Sequence, residues 1–239
     1  MAYAHVLGLV SGAVLMVVLI TYLIPLARKI GLVDHPAGRK THTGSIPLIG
    51  GIVIATSLSL SLLLFPDSFQ NLRVLFFGIG ILTIVGALDD QKEIGPHIRF
   101  LAQITVALFL VVLDQTLVTY VGFILDDSAP IGLGVLAIPF SIIALVGTIN
   151  AYNMIDGHDG VSGFCFIVSL LGLLTLLSFR SAAGDQQYIV IIMLLTVLTT
   201  VFIPFNLGLF GAQRKIFLGD AGSMVFGLVM AFLLIRFSQ

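Results

Sequence analysis

The sequence predicts an all-α fold: a polytopic membrane helical bundle of about eight transmembrane helices, forming a single domain over residues 1–239. Three observations carry this expectation. Apolar residues make up 58% of the chain, only 10% of positions are charged, and mean hydropathy is +1.15, far from soluble-domain composition. Apolar runs approaching bilayer-crossing length, roughly 20 helical residues, recur along the whole sequence. The segments joining them are short, without internal repeat or low-complexity tract, and irregular backbone within lipid is disfavoured because its amides go unpaired.

The first run, 6–26, has no basic stretch before it and no small-residue cleavage site after it, so it reads as a permanent helix and not a removed signal. The second run is 48–65 and the third 72–88, which ends on Asp89 and Asp90. A fourth, 98–113, is interrupted by Asp114 and Gln115, and residues 116–125 either extend it or lie at the interface. Runs five to eight follow at 131–149, 161–178, 188–205 and 221–235. The single cysteine, Cys165, falls inside the sixth, which excludes a disulfide framework or thiolate metal site and assigns it to packing.

Orientation follows from the basic residues. After spans one, three, five and seven lie Arg28, Lys29, Arg39, Lys40, Lys92, Arg99, Arg214 and Lys215, against Arg73, Arg180 and Arg236 on the opposite side. Eight against three predicts that the odd loops are cytoplasmic, with both termini outside. The net charge of −1 shows no basic excess that would suggest nucleic acid as a partner.

Every polar cluster follows an odd-numbered span: GLVDHPAGRKTHTGSIPLIGG at 31–51, ALDDQKEIG at 87–95, NAYNMIDGHDG at 150–160 and KIFLGDAGS at 215–223. Each alone has an ordinary reading, as a helix cap, a close helix approach at Gly157 and Gly160, or a basic membrane anchor. Together, on one face, they gather Asp89, Asp90, Asp156, Asp159 and Asp220 with little local cation to neutralise them. Such acids repel and raise one another's pKa unless a divalent metal intervenes. Asp and Asn oxygens suit Mg²⁺ or Mn²⁺ better than zinc, and Mg²⁺ takes only one or two protein ligands, leaving other acids free as bases or orienting groups. The basic, Gly-containing loop with Arg39, Lys40 and His42 supplies the complementary grip on phosphate. Metal, carboxylates and phosphate contacts on one face suggest phosphoryl transfer.

RKTHTGSIPLIGGI at 39–52, GALDDQKEIGPHIR at 86–99, INAYNMIDGHDGV at 149–161 and IFLGDAGS at 216–223 resemble, in order, the motifs of the polyprenyl-phosphate N-acetylhexosamine-1-phosphate transferases. The first motif is similar to the branch that uses UDP-N-acetylglucosamine and undecaprenyl phosphate, and differs from the GTPTMGG-like stretch of the peptidoglycan branch. The resemblance implies transfer of a sugar-1-phosphate from a UDP-N-acetylhexosamine to a polyprenyl phosphate, with release of UMP. It implies a bacterial cytoplasmic membrane enzyme working on its cytoplasmic face in cell-envelope polysaccharide synthesis, and a homodimer. By the same resemblance, Asn153 and Asp220 match the metal-holding positions. Asp89 and Asp90 match the pair that deprotonates or orients the lipid phosphate, and Asp156 and Asp159 match residues of the nucleotide and metal site. Asn150 is expected to support that loop, and Arg39, Lys40 and His42 to contact phosphate.

Members of that family normally continue for two or three more helices and a histidine-rich loop of the DxxHxHH kind. None of the five histidines here holds that position, and His158 stands where relatives often have an apolar residue. The chain therefore reads as a C-terminally shortened member. Two further readings accompany the enzyme: a catalytically impaired remnant acting as a membrane scaffold, and a proton-coupled transporter, whose ionisable groups should lie near mid-span.

Overall fold

The computed structural model describes residues 2–35, 44–63, 72–122, 130–179 and 186–239; Arg39, Lys40 and His42 lie outside the described residues. Eight α-helices account for most of that structure: α1 (Ala2–Ile30), α2 (Gly50–Leu62), α3 (Arg73–Lys92), α4 (Pro96–Leu113), α5 (Ala137–Ile155), α6 (Val161–Phe179), α7 (Gln186–Asn206) and α8 (Gly219–Ser238). Among the described residues, seven are long and apolar enough to cross a membrane. The exception is α2, whose 13 residues span about 20 Å at 1.5 Å per residue, short of a bilayer core of about 30 Å. All eight predicted runs thus correspond to helices, and the chain is a multi-pass membrane protein.

Large apolar side chains such as Leu7, Tyr22, Phe77, Leu101, Phe164 and Leu176 point outward from the bundle. In water this would be an aggregation hazard; in lipid it is the expected surface. Cys165 is on this outward face, correcting the packing role expected for it. After α4 the chain leaves the helix at Asp114, whose carboxylate accepts the Thr116 hydroxyl at 2.6 Å. Residues 116–122 do not extend the helix; Tyr120 instead pairs with Gly132.

The centre of the bundle is α8, apolar on every side, with all residues from Ala221 to Leu233 buried. Its neighbours include α2, α3, α5 and α6. Three of these approaches are too close for a side chain. A Cβ on Gly51 of α2 would stand 2.0 Å from the Gly222 nitrogen, one on Gly86 of α3 2.4 Å from Ala221 Cα, and one on Gly227 2.5 Å from Ile149 Cα in α5. Small residues therefore let α8 pack backbone to backbone with three partners. Gly157, for which the sequence offered this role, has nothing within 4 Å of a built Cβ. Below the polar end, Phe166 of α6 stacks on Phe226 of α8 with ring centroids 4.0 Å apart.

The described parts of all four polar clusters converge at one end of the bundle. The last turn of α1 is tied to the α7–α8 loop by Arg28 Nη2, which donates to the Gln213 carbonyl at 2.8 Å, and to α3 by Gln91, which donates to Ile30 O at 2.9 Å. A two-residue ladder pairs β1 (Val33–Asp34) with β2 (Ile46–Pro47), antiparallel, on either side of residues 36–43. Phe217 then joins this edge: its N–H donates to Pro47 O and its carbonyl accepts Gly50 N–H, each at 2.9 Å. Segments from residues 33 to 217 are thereby knitted together at this end.

Candidate active site

The connection from α3 to α4 is only Glu93–Gly95. Glu93 sits in the left-handed region at φ 50°, its N–H closing on Asp89 O, and Gly95 at φ 90° completes the reversal. This tight turn folds Arg99, in the first turns of α4, back over the acids that end α3. Arg99 Nη1 contacts Asp89 Oδ2 at 2.9 Å and Asp220 Oδ2 at 2.8 Å, bridging α3 to α8. Asp89 is only 8% exposed, so this guanidinium compensates a carboxylate largely removed from water.

Asp90 has a different task. Its Oδ1 accepts the backbone N–H of Asp220 at 2.9 Å and its Oδ2 that of Ala221 at 3.4 Å. The first turn of α8 begins at Gly219, which has φ 73° and where a Cβ would collide with Asp90 Oδ2. An acid from another helix thus caps α8 and sits at the positive end of its dipole.

On α5, Asn150 and Asn153 are three residues apart on one face. Asn153 Nδ2 donates to Asp220 Oδ1 at 2.6 Å and to Ser223 Oγ at 2.9 Å. Asn150 points one turn away, donating to Gln103 Oε1 at 2.7 Å. The helix stops at Ile155, so Asp156 and Asp159 do not share a helical face as they would had it continued; they lie in the turn leading to α6. That turn is held by Asn206, only 5% exposed, at the end of α7. Its Oδ1 accepts Gly160 N–H at 2.6 Å while its Nδ2 donates to Ile216 O at 3.1 Å, fastening the Asp159 loop to the strand-like segment before α8.

These elements surround a cleft of about 970 Å³. Asp89, Asp90, Asn153, Asp156, Asp159 and Asp220 all line it, with Asp34, Glu93 and Lys215, and Leu48, Phe217 and Leu218 give it an apolar wall. Asn150 instead lines a smaller cavity of about 220 Å³ between α4 and α5, where Arg99 and Asn153 also appear. Asn153 lines both spaces.

The expectation of acids with little local cation needs correcting. Arg99 neutralises Asp89 and Asp220, and Lys215 Nζ pairs with Asp159. In the sequence both cations count toward the orientation of the loops; which acid each one meets depends on the turn after α3 and on the packing of the loops. Asn206 was missed entirely: an amide at the end of an apolar run gives no signal until its two loops are in place. What remains uncompensated is centred on Asp156, whose carboxyl is pushed up to about 8 by burial first, then by Asp220, Asp90 and Asp159. Among the described residues no group of three or more His, Cys, Asp or Glu forms a ready-made metal cage. The oxygen-only donors around Asp220, Asn153 and Asp156 nevertheless fit a hard divalent cation that keeps most of its waters and takes few protein ligands.

The helices and the cleft define a multi-pass membrane protein whose polar chemistry is confined to one end of an apolar bundle. Residues 72–238 match the family model of glycosyl transferase family 4, and the chain belongs to that family. It is 33% identical over 213 residues to the undecaprenyl-phosphate alpha-N-acetylglucosaminyl 1-phosphate transferase of Yersinia pestis, and 31% identical over 215 residues to that of Escherichia coli K12. In both cases the match covers 89% of this chain and 57% of the relative. A probable undecaprenyl-phosphate N-acetylglucosaminyl 1-phosphate transferase of Bacillus subtilis is 30% identical over 226 residues, 92% of this chain and 60% of the relative. The chain spans under two thirds of the length of these curated relatives.

Proposed function

We propose that the chain transfers N-acetylglucosamine-1-phosphate from UDP-N-acetylglucosamine to undecaprenyl phosphate, as a Mg²⁺-dependent enzyme of the bacterial cytoplasmic membrane with its cleft facing the cytoplasm. An oxygen of the lipid phosphate attacks the sugar-bearing phosphorus in line. The bond between the two phosphates of the donor breaks, UMP leaves, and a lipid-linked diphosphate sugar remains. When bound, the metal ion neutralises charge on the donor diphosphate and the departing UMP. Asn153, through its amide oxygen, and Asp220 would hold it; the two side chains are neighbours, with Asn153 Nδ2 donating to Asp220 Oδ1.

The observation that carries this reading is that Asp89, Asp90, Asn153, Asp156, Asp159 and Asp220, drawn from α3, α5, the α5–α6 turn and α8, line one cleft. Arg99 sets the charge balance of its floor and orients Asp89 toward the acceptor phosphate, while Asp156 supplies a carboxyl able to exchange a proton near neutral pH. The orientation rests on the basic residues: Arg28, Lys29, Lys92, Arg99, Arg214 and Lys215 cluster at the cleft end, against Arg73 and Arg236 at the other, among the described residues. The transporter reading is disfavoured because the described Asp, Glu, Lys and Arg residues lie at helix ends and in loops, not at mid-span.

The direct test follows UMP release from UDP-N-acetylglucosamine with undecaprenyl phosphate and Mg²⁺ in membranes carrying the chain. Release is expected from the unaltered protein and should vanish in Asp220→Asn. Undiminished release by that variant would exclude the ligand role of Asp220. No release from well-folded protein would favour the scaffold reading.

A further inference from the structure

We propose that Lys215 is a donor-binding residue, which leaves Asp159 to grip a phosphate oxygen of the nucleotide-sugar when that substrate enters the cleft. The inference rests on the transferase reading above and adds a residue to it.

Position is the first argument. Seven of the described cleft residues are acidic, namely Asp34, Asp89, Asp90, Glu93, Asp156, Asp159 and Asp220, and Lys215 is the one lysine or arginine described among them. Arg99 stands behind Asp89 and Asp220 and lines the smaller cavity. A diphosphate entering this cleft meets like charge from most of the described residues, and among them Lys215 is the cation placed to receive it.

The second argument is how the side chain is mounted. Lys215 is extended, at φ −64° and ψ 136°, directly after the short 3₁₀ turn Ala212–Arg214. The two residues that follow are clamped: Ile216 N–H donates to Phe205 O at 3.3 Å, Asn206 donates to Ile216 O, and Phe217 is bonded to both Pro47 and Gly50. The ammonium lies 5.2 Å from the centre of the Phe217 ring. The backbone that carries the side chain is therefore fixed, and the ammonium is turned toward Asp159.

The partner is also replaceable. Asp159 is 41% exposed, so water and an incoming anion reach its side of the pair, while Lys215 is 19% exposed. An ammonium is a compact charge with three rotatable donors, suited to exchanging one oxygen anion for another. A diphosphate bears more charge than a single carboxylate and wins that exchange. Asp159, released, then faces the cleft at the moment the donor is in place. A lysine serving only as a membrane anchor would gain nothing from a clamped base within an acidic cleft.

The experiment is calorimetric titration of the purified chain in detergent with UDP-N-acetylglucosamine and with UDP, both with Mg²⁺, with thermal midpoints measured alongside. Lys215→Met should weaken binding about tenfold or more, the loss of one charge-assisted contact. K215R should retain most of the affinity. The double exchange D159K/K215D restores an opposite-charge pair between the two loops and should recover the thermal midpoint but not the affinity. Wild-type affinity in K215M, or recovery of affinity in the double exchange, would overturn the inference and leave the transferase reading standing. Failure of the unaltered chain to bind either nucleotide would overturn both.

Discussion

Asp90 Oδ1 accepts the backbone N–H of Asp220 at 2.9 Å, so an acid in the last turn of α3 closes the first turn of α8. The two acids of the adjacent pair are thereby separated in role: Asp89 faces Arg99, while Asp90 fixes the helix start from which Asp220 reaches Arg99 and Asn153.

Asp90→Ala should lower stability by about 1–2 kcal/mol, the range for losing a side-chain cap at a helix N-terminus. Asp90→Asn keeps an acceptor oxygen and should lose much less, while still losing transfer activity if the carboxylate orients the acceptor phosphate. Thermal unfolding in detergent beside UMP release reads both. Equal thermal loss in the two variants would show that the cap is not what Asp90 contributes.

Gly51→Ala should be severely disruptive, because its new methyl would stand 2.0 Å from the Gly222 backbone nitrogen. Overpacking of this kind costs about 1–3 kcal/mol or more, since α2 must move off α8. Gly80→Ala and Gly147→Ala provide the contrast, as helical glycines with open space around a built Cβ. They should be neutral or stabilising by up to about 1 kcal/mol. Expression and thermal midpoint compared across the three variants decide the matter.

Asn206→Leu should orphan the Gly160 N–H and the Ile216 carbonyl together, at about 1–3 kcal/mol for each buried group left unpaired. Hydrogen exchange at the Gly160 amide should accelerate and donor affinity should fall, since the loops carrying Asp159 and Lys215 lose their common tie. Unchanged protection at Gly160 would refute the clamp.

Asp156 gives a pH dependence. Its carboxyl is raised from an ordinary 3.8 to about 8, by burial and by Asp220, Asp90 and Asp159. Between those values the folded chain holds a proton that the unfolded chain has released, so this group's contribution is fully present below about pH 4 and is lost as pH rises through about 8. The thermal midpoint should fall with rising pH across that window, and Asp156→Asn should flatten the slope. Excess Mg²⁺ should flatten it too, by favouring the ionised form. A slope indifferent to both changes would remove Asp156 from the acidic cluster.

Much of this was legible in the sequence, for definite reasons. Hydropathy located all eight helices because each is apolar enough to face lipid or, like α8, the apolar centre of the bundle; the described part of α2, 13 residues, is the shortest of them. The motif residues Asp89, Asp90, Asn153, Asp156, Asp159 and Asp220 were singled out because amides and acids are expensive in so apolar a chain, and all six line one cleft. Asn150, expected from the resemblance to support that loop, bonds to Gln103 and lines the neighbouring cavity.

The sequence by itself determined that the chain is a helical membrane bundle with its polar residues at one end, because burial of backbone and side chains in lipid leaves few alternatives. Only the tertiary structure decided which charge meets which. Arg99 reaches Asp220 across 121 positions of sequence, and Asp159 meets Lys215 across 56. Such pairings depend on a three-residue turn, a buried amide and glycines that admit α8 to the centre, and an ion pair acts through space without regard to order along the chain.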